Sequence, residues 1–298
     1  MGTAVGVVVV AYNSAGMIAR LLDSVPAALA GTSADIVIVD NGSVDGTAEL
    51  VERLGYRVVR APNLGFAAGI NRGVRELPDA AAILVLNPDV QLRPGAVPPL
   101  LAALELPGTG VVAPRVLEED GSLSRSLRRR PSLGRATGLN RTGLPFLSEY
   151  LVREEEYAGP RVVDWALGAV LLFSRECFDR LGGWDESFFL YSEETDFCLR
   201  AADVGLATRY EPASVAVHTG GGSGRNDRTH VMQIVNRVRL YRRRTGRWAA
   251  VPYWALTVLS ELSWAARGHR QSRASVVALL RPSRRPAELG CADRLIPA

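Results

Sequence analysis

The feature that most constrains the fold is an alternation, over the first 115 residues, of short β-branched runs with patterns typical of amphipathic helices. The apolar runs are nearly continuous, as expected for strands that are buried on both faces of a parallel sheet. We therefore predict an α/β fold in which a mostly parallel sheet is flanked by helices. The predicted strands are 5–11, 35–40, 57–60 and 82–86, and the predicted helices are 17–25, 47–54 and 66–76.

The composition excludes several classes of protein. Apolar residues make up 47% of the 298 residues and charged residues 22%, so the chain can bury a large core and wholesale disorder is excluded. Three cysteines without a CxxC spacing support neither a disulfide framework nor a structural zinc site, which suits a reducing cytoplasm. The first apolar run is short and lacks a basic flank, so we expect no cleaved signal peptide.

Charge is divided unevenly along the chain. All 35 basic residues are Arg, and residues 1–224 carry a net charge of −7, whereas residues 225–286 hold 14 Arg and two acidic residues. This asymmetry predicts a mildly acidic body, 1–224, with a basic helical appendage, 225–298. The candidate partners of such an appendage are anionic lipid, nucleic acid and a phosphorylated substrate.

The basic appendage contains an apolar segment. Residues 227–244 have a helical pattern rich in Arg, and residues 248–266 carry one charge, Glu261, and three Trp. A membrane span needs about 20 apolar residues, but Pro252 and Glu261 argue against a clean span, and an interfacial helix and a helix packed on the protein remain as alternatives. We predict that 225–286 docks on an anionic membrane surface, peripheral at the inner face of the cell membrane, because Trp and Arg together suit that interface.

Three polar clusters follow predicted strands: 12–16, 40–47 and 87–89. In open α/β sheets ligands bind beyond the carboxyl ends of the strands. Asp40 and the backbone N–H groups after it can face a nucleotide, although the same residues are also typical of an ordinary turn with an N-cap. Asn87 and Asp89 present oxygen ligands that suit a divalent cation bridging to a diphosphate, although Asn-Pro-Asp is also a turn signal.

An acidic cluster follows the aromatic stretch WDESFFLYS. Glu193, Glu194 and Asp196 are three carboxylates within four residues, and desolvation and mutual repulsion should raise the pKa of at least one, as a general base requires. The alternative is that they only complement the dipole of a helix N-terminus. His218, before a glycine-rich stretch, is either a structural histidine or a metal or phosphate ligand.

Together these motifs resemble the family-2 glycosyltransferases with a GT-A fold, most closely the rhamnosyltransferase-like branch. The resemblance covers residues 5–224 and rests on the order and spacing of six motifs. It implies a nucleotide-binding half, 1–115, and an acceptor and catalytic half, 116–224. The motifs are VVVAYNS, IVDNGSVDGT, NLGFAAGINRG, LNPDV, GAVLLFSRECFDRLGGWDESFFLYSEETDFCLR and VHTGGGS.

The resemblance implies roles for the nucleotide-binding residues. Asp89 corresponds to the main metal ligand of the family's DxD motif, in which Asn87 replaces the first Asp, and His218 is implied as a further metal or diphosphate ligand. The metal would be Mg²⁺ or Mn²⁺. The base pocket is implied at Ala11, Tyr12, Asp40, Asn41 and Ser43, the donor site at Asn63, Gly65 and Asn71, and a diphosphate contact at Arg72.

The resemblance also implies the reaction, an inverting, non-processive and metal-dependent glycosyltransfer. Glu194 occupies the position of the catalytic base, and Glu193 and Asp196 would hold acceptor hydroxyls or orient the base. Trp184 and Asp185 would border the acceptor. By resemblance the donor is dTDP-L-rhamnose and the acceptor a polyprenyl-diphosphate-linked sugar in cell-wall or surface polysaccharide synthesis.

Other functions are weighed against this hypothesis. Transfer of galactofuranose or a hexose uses the same chemistry, and the Asn at position 87 permits a sugar-nucleotide-binding protein that has lost catalysis. A processive synthase is disfavoured because the nearest stretch to a QxxRW motif, at 244–248, lacks the Gln. A nucleic-acid binder is disfavoured because no recognisable motif surrounds the basic region. An oligomer is compatible with the sequence.

Overall fold

A nine-stranded sheet forms the centre of the fold. The computed structural model describes residues 5–139, 142, 144–220, 226–289 and 295–296. The strands of the main sheet are β1 (Val5–Ala11), β2 (Ala34–Asp40), β3 (Arg57–Arg60), β4 (Ala82–Leu86), β5 (Val90–Leu92), β6 (Thr109–Leu117), β8 (Arg161–Val163), β10 (Val170–Ser174) and β11 (Ala207–His218), and a two-stranded sheet pairs β7 (Leu127–Arg128) with β9 (Trp165–Ala166).

The strand order is β3-β2-β1-β4-β10-β6-β11-β5, with β8 beside β11. The strands from β3 to β4 are all parallel, β10 runs antiparallel between β4 and β6, and β11 is parallel to β6. The predicted strands, and the α/β class with a mostly parallel sheet, are therefore confirmed. Register places Ala11 opposite Asp40 and Leu86 opposite Val170, so the carboxyl ends of β1, β2 and β4 and the start of β10 lie at one edge.

The helices cover both faces of the sheet and form the C-terminal region. Their bounds are α1 (Ile18–Leu29), α2 (Thr47–Arg53), α3 (Phe66–Arg75), α4 (Val97–Leu104), α5 (Leu133–Ala136), α6 (Arg175–Leu181), α7 (Glu193–Asp203), α8 (Asp227–Thr245), α9 (Ala250–Ala266) and α10 (Arg270–Leu280).

Helix α1 continues beyond its predicted end at residue 25 and contains Pro26. A proline inside a helix cannot donate to the carbonyl four residues earlier. That carbonyl, Leu22 O, instead accepts a hydrogen bond of 3.3 Å from the hydroxyl of Tyr56, so the helix continues to Leu29. The end predicted at residue 25 was wrong because Tyr56, which supplies the donor that Pro26 lacks, is distant in sequence.

Two further expectations need correction. The residues SEET before Asp196 resemble a capping sequence and predict a helix over 196–204, but α7 begins at Glu193, which places the whole acidic cluster in its first turn. The Gly- and Pro-rich sequence of 115–165 predicts a long excursion and no sheet, but this region contains short regular elements, among them β7, α5 and a 3-10 helix at Glu154–Tyr157. These elements are two to four residues long, too short for a periodic pattern.

Two apolar cores lie on the two faces of the sheet, and a third lies outside it. The third core joins α8, α9 and α10 to Ala136 and to the segment Phe189, Leu190, Tyr191. At its border Arg237 Nη2 donates to Glu149 Oε2 at 2.7 Å and to Arg135 O at 3.0 Å. The C-terminal helices are therefore packed against the catalytic half. Cys177 and Cys198 are buried and free, and Cys291 lies outside the described residues.

Helix α9 contains most of the apolar segment 248–266, and one side of the helix packs against the rest of the protein. The buried side contains Tyr253, Thr257 and Glu261, and Glu261 Oε2 lies 3.1 Å from His230 Nε2 of α8. Leu259 and Leu262, on the other side, are exposed. In the part of the chain that the structure describes, no helix is both long enough and apolar enough to cross a membrane.

Candidate active site

The ends of β1 and β2 form the first part of the site. Asn41 N donates to Ala11 O at 2.8 Å, which joins the two strand ends. Asp40 is buried; its Oδ2 accepts from Ser43 N at 3.2 Å, while its Oδ1 has no hydrogen-bond partner among the described residues. Tyr12 is 51% exposed beside it. A buried carboxylate oxygen without a partner is costly unless a ligand donates to it.

The loops after β1 and β2 hold each other in place. Asn13 N donates to Ser43 Oγ at 2.9 Å, and Val44 N donates back to Asn13 Oδ1 at 2.9 Å. Asp45 accepts from Ala15 N at 3.0 Å and from the hydroxyl of Thr47. The structure therefore brings Ala11, Tyr12, Asp40, Asn41 and Ser43, the predicted base pocket, to one place.

The predicted donor residues at the start of α3 contact the segment before α7. Asn63 Oδ1 accepts from Gly65 N at 3.2 Å, and Phe66 N donates to Phe189 O at 2.8 Å. Gly65 has a φ of 101°, and a Cβ there would lie 2.4 Å from Phe189 O. Only glycine fits at this position, so the donor loop and residues near 189 are in direct backbone contact.

Asn71 and Arg72 lie further along α3. Asn71 is buried; its Nδ2 donates to Trp184 O at 2.8 Å and to Glu186 Oε1 at 2.9 Å, and Trp184 N donates to Asn71 Oδ1 at 2.9 Å. Its side chain therefore holds the Trp184 segment. Arg72 lines a cleft of about 40 Å³ that also includes Asn41 and Glu186.

The residues proposed for a metal lie after β4 and at the end of β11. Asp89 Oδ1 lies 3.2 Å from His218 Nε2, and Thr219 donates from both its N and its Oγ1 to Asp89 O at 3.0 Å. Burial alone would lower the pKa of His218, but the hydrogen bond to Asp89 and its charge outweigh burial and raise the pKa. Residues 221–223 of the same motif, two glycines and a serine, lie outside the described residues.

This pair fits a divalent cation that takes its other ligands from a substrate. A carboxylate oxygen and an imidazole nitrogen are both acceptable donors, and such metals commonly use one or two carboxylates together with substrate phosphates and water. Within the described residues, no group of three or more His, Cys, Asp or Glu side chains could hold a metal alone. Binding at Asp89 and His218 would therefore require the diphosphate.

The carboxylates of Glu193 and Glu194 differ in access. Glu193 is 3% exposed, whereas Glu194 is partly exposed. Burial raises the pKa of both, and the charge of Glu194 raises the pKa of Glu193 further. The charge of Arg128 and backbone hydrogen bonds from Ser192 and Thr195 oppose the rise at Glu194. Glu194 is therefore the one of the two residues with exposed surface and with a cationic neighbour that favours its ionised form, while its Oε2 is buried with no hydrogen-bond partner among the described residues.

Asp196 is engaged elsewhere. Its Oδ2 accepts from Arg200 Nε at 2.6 Å, and Arg200 also donates to Leu181 O and Gly183 O. Burial raises the pKa of Asp196 although the ion pair opposes it. The structure therefore places Asp196 in a contact that holds the turn after α6.

The two residues predicted to border the acceptor are held from opposite sides. Trp184 is 2% exposed and stacks on Phe197, with ring centroids 4.7 Å apart. Asp185 Oδ2 accepts from Arg243 Nη1 of α8 at 2.6 Å. Burial alone would raise the pKa of Asp185, but hydrogen bonds from Ser187 and the charge of Arg243 lower it.

A short segment joins the proposed metal site to the proposed base. Asn87 N donates to Ala169 O at 2.9 Å, and a Cβ on Gly168 would lie 3.2 Å from Glu194 Cβ. The backbone at Gly168 and Ala169 therefore lies between the Asn87–Asp89 turn and Glu194. Sequence reasoning did not single out Arg128, whose charge acts on Glu194; the only signal was the Arg run at 128–130.

The fold and this arrangement define a glycosyltransferase. A family model described as "Glycosyl transferase family 2" matches residues 6–158, and one described as "Glycosyl transferase family group 2" matches residues 153–284. The chain belongs to glycosyltransferase family 2, which confirms the resemblance noted in the sequence.

Individual proteins agree with this assignment. The chain is 32% identical, over 94% of its length and 95% of the relative's, to N-acetylglucosaminyl-diphospho-decaprenol L-rhamnosyltransferase of Mycobacterium tuberculosis. Its fold is similar to GalNAc-T7 with UDP, GalNAc and Mn²⁺ (TM-score 0.61, 17% identity, 80% of this chain and 47% of that one). It is also similar to the mannosyltransferase PcManGT of Pyrobaculum calidifontis with GDP-Man and Mn²⁺ (TM-score 0.54, 20% identity, 94% and 81%). The predicted GT-A fold is confirmed.

Proposed function

We propose that this chain is an inverting, non-processive rhamnosyltransferase that moves L-rhamnose from dTDP-rhamnose to a polyprenyl-diphosphate-linked sugar such as GlcNAc. The observation that carries the reaction is that Asp40, Asp89 and Glu194 lie at one edge of the sheet, where Glu194 is partly exposed and burial raises its pKa, as a general base requires. The choice of substrates is supported by the similarity to the mycobacterial rhamnosyltransferase.

The ends of β1 and β2 would hold the nucleotide. The unpartnered Oδ1 of Asp40 is suited to accept a hydrogen bond from a base N–H, and the exposed ring of Tyr12 offers a surface for stacking. Asn63 and Gly65 would border the donor, and Arg72 lies in the cleft beside them. We assign Asn71 a positioning role, because its amide is used by the Trp184 segment.

Glu194 would act as general base. It takes the proton of an acceptor hydroxyl while that oxygen forms a bond to the anomeric carbon, and the bond from that carbon to the nucleoside diphosphate breaks in line. Burial and the charge of Glu194 raise the pKa of Glu193, which favours its protonated form as a hydrogen-bond donor within the site. Asp185, held ionised by Arg243, would border the acceptor.

Asp89 and His218, with Asn87 at the start of the turn, would hold Mg²⁺ or Mn²⁺. A divalent cation bound there would neutralise the charge of the departing diphosphate. The fold neighbours contain Mn²⁺ in their own sites. The protein's part is to hold the carboxylate and the imidazole 3.2 Å apart at the edge of the sheet.

A donor screen tests the proposed function. Release of nucleoside diphosphate is measured for dTDP-rhamnose, UDP-galactofuranose and hexose donors, with and without a short-chain polyprenyl-diphosphate-GlcNAc acceptor. We expect release only with dTDP-rhamnose and acceptor together, and a product heavier by one deoxyhexose. Preference for another donor would contradict the substrate assignment, and tight dTDP binding without turnover of any donor would indicate a binding protein that has lost catalysis.

We further propose that the C-terminal helices dock on an anionic membrane, which would place the enzyme peripherally at the inner face beside its lipid-linked acceptor. Several Arg of α8 are used inside the protein, including Arg243 and Arg244, which pair with Asp185 and Asp203. The surface available to lipid is formed by the exposed apolar and basic residues of and around α9 and α10. These are Trp248, Leu259, Leu262, Val277, Leu280, Arg247, Arg267, Arg270, Arg273, Arg281 and Arg284.

This surface combines two attractions. Trp248 is 67% exposed and Leu259 62%, and side chains of these types favour the lipid interface. Each Arg near an anionic leaflet contributes about 1 kcal/mol before screening. Nucleic acid would attract the same Arg residues but offers no apolar phase for the Leu and Trp side chains.

Flotation with liposomes checks this prediction. We expect the protein to float with anionic vesicles, less with neutral ones, and less at high salt. The triple variant Trp248→Gln, Leu259→Gln, Leu262→Gln should lose most of the binding. Leu54→Gln with Leu106→Gln, which removes exposed leucines from the nucleotide-binding half, serves as the control and should float normally. Failure to float under any condition, or binding that ignores both lipid charge and salt, would contradict the proposal.

A further inference from the structure

The backbone immediately before the two catalytic glutamates is strained. Tyr191 has a φ of 68° and Ser192 a φ of 77°, so two consecutive residues other than glycine occupy the left-handed region. Such conformations are strained for residues other than glycine and persist only where the surroundings enforce them. The Ser192 side chain makes no capping hydrogen bond that could account for this conformation.

The strained turn directly precedes the two carboxylates and begins their helix. Asp196 N donates to Ser192 O at 2.8 Å, so the left-handed residue Ser192 accepts the first hydrogen bond of α7. The conformation at 191 and 192 therefore sets where α7 begins and where its first two side chains, Glu193 and Glu194, lie. The backbone at 191 and 192 also opposes the rise of the pKa of Glu193 and Glu194.

One side chain of the C-terminal helices holds this turn. Asn236 of α8 is fully buried, and its Nδ2 donates to Leu190 O at 3.0 Å and to Tyr191 O at 3.2 Å. Its Oδ1 accepts from Arg239 Nη1 at 2.8 Å, and the same Arg239 nitrogen donates to Ser187 O at 3.1 Å. Both N–H groups of the amide are used on the turn, and its oxygen is fixed by a charged donor.

The opposite side of the segment is held by the donor loop. Phe189 O accepts from Phe66 N, and Gly65 packs against the backbone of Phe189. The segment 187–192 is therefore held between the start of α3, which would border the donor in the proposed function, and α8 of the C-terminal region. Its geometry depends on both.

We propose that Asn236 is a positioning residue for catalysis, which holds the turn at Tyr191 and Ser192 so that Glu193 and Glu194 face the acceptor correctly. This inference rests on the proposed function. Asn236 touches no substrate and acts through the turn. The competing explanation is that Asn236 only stabilises the packing of α8, and it predicts that activity follows thermal stability alone.

The variant Asn236→Asp separates these explanations. It is isosteric and keeps the partner of Arg239, but it presents an oxygen to Leu190 O and Tyr191 O in place of two N–H donors. We expect kcat to fall about 10- to 100-fold, the scale of a displacement of about 1 Å in an active site, while KM for the donor changes less than about twofold. Assays are run well below the lowest midpoint of thermal unfolding. Thr257→Val, which removes a buried hydroxyl of α9 that donates to Tyr253 O, is the matched control and should keep wild-type kcat.

The pH profile and a second substitution supply measurements that would not change if Asn236 had only a structural role. Glu194 is faced by Glu193 and Cys198 of its own helix and by Arg128 of β7. A turn displaced in Asn236→Asp would weaken the effect of the Ser192 backbone on Glu194, and the acidic limb of kcat/KM should therefore shift to higher pH. In the Asn236→Asp background, Ser192→Gly should restore part of kcat, because glycine adopts a φ of 77° without strain.

Hydrogen exchange keeps this test independent of turnover. In Asn236→Asp the amides of residues 190–195 should exchange faster than in the wild type, and those of α9 and α10 should not. If the wild type turns over no donor, the proposed function fails, and the exchange pattern still decides whether Asn236 holds the turn. A kcat that follows the unfolding midpoint, an unmoved acidic limb, or no rescue by Ser192→Gly would overturn the proposal.

Discussion

Replacing Glu194 by glutamine is expected to leave donor binding nearly intact and to lower kcat by about 10² to 10⁴, the range of a lost general base. The glutamine amide keeps the size of the side chain, its packing against Gly168 and its exposure, but it cannot accept a proton. Because burial raises the pKa of Glu194, wild-type activity should fall on acidification at a higher pH than for an ordinary carboxylate. That acidic limb should disappear from the residual activity of the variant.

Two further substitutions sharpen this experiment. Glu193→Gln should cost less than Glu194→Gln, because Glu193 is buried and its raised pKa favours the protonated form, which an amide resembles. Glu176→Gln, on the exposed surface of α6, is the matched control and should behave as wild type. If Glu194→Gln keeps more than a tenth of its activity at saturating acceptor, another group is the base.

The second large effect is expected at Asp89. Asp89→Ala should abolish the metal-dependent part of nucleoside diphosphate binding, because it removes the carboxylate that would ligate the cation beside His218. Asn87→Asp should preserve or strengthen that binding, because it adds a second carboxylate two residues away. Calorimetric titration of dTDP with and without Mg²⁺, repeated with Mn²⁺, measures both effects without requiring turnover.

Asp79→Ala is the control for this titration. Asp79 is exposed before the start of β4, at the opposite end of the strand from Asp89, and its loss should leave metal-dependent binding unchanged. Equal affinity of the wild type for dTDP with and without either metal would contradict the proposal that a cation at Asp89 and His218 binds the diphosphate.

The nucleotide-binding half was the part of the fold most readily predicted from sequence. Strands β1, β2 and β4 are buried on both faces, so their residues form uninterrupted apolar runs, and the polar residues after them mark the edge where they meet. Register alone then brings Ala11 beside Asp40. The pairing of Asp89 with His218 could not be derived in this way, since 129 residues separate them and β11 had no distinct signal.

Residues whose roles depend on long-range contacts were harder to place. Asn71 belongs to a motif of the donor loop, yet its amide bonds to Trp184, 113 residues away. Asp196 could be named as a carboxylate beside aromatic rings, but the spacing did not show that Arg200, one turn later, would occupy it. The appendage was predicted to be basic and helical; which Arg face the catalytic half and which face outward depends on packing that charge counts do not contain.

The contacts of α8 bear on how far this enzyme can be treated as modular. Asn236 and Arg239 hold the turn before Glu193, Arg243 pairs with Asp185, and Arg237 reaches Glu149 and Arg135 O. A chimera that exchanged residues 225–298 for those of a relative would therefore change the surroundings of the proposed base along with the proposed membrane surface. A recombinant that preserves these contacts must exchange the helices together with the segments around Arg135, Glu149 and 185–192. New lipid or acceptor preferences would then come from segments that are inherited together, and not from residues 225–298 alone.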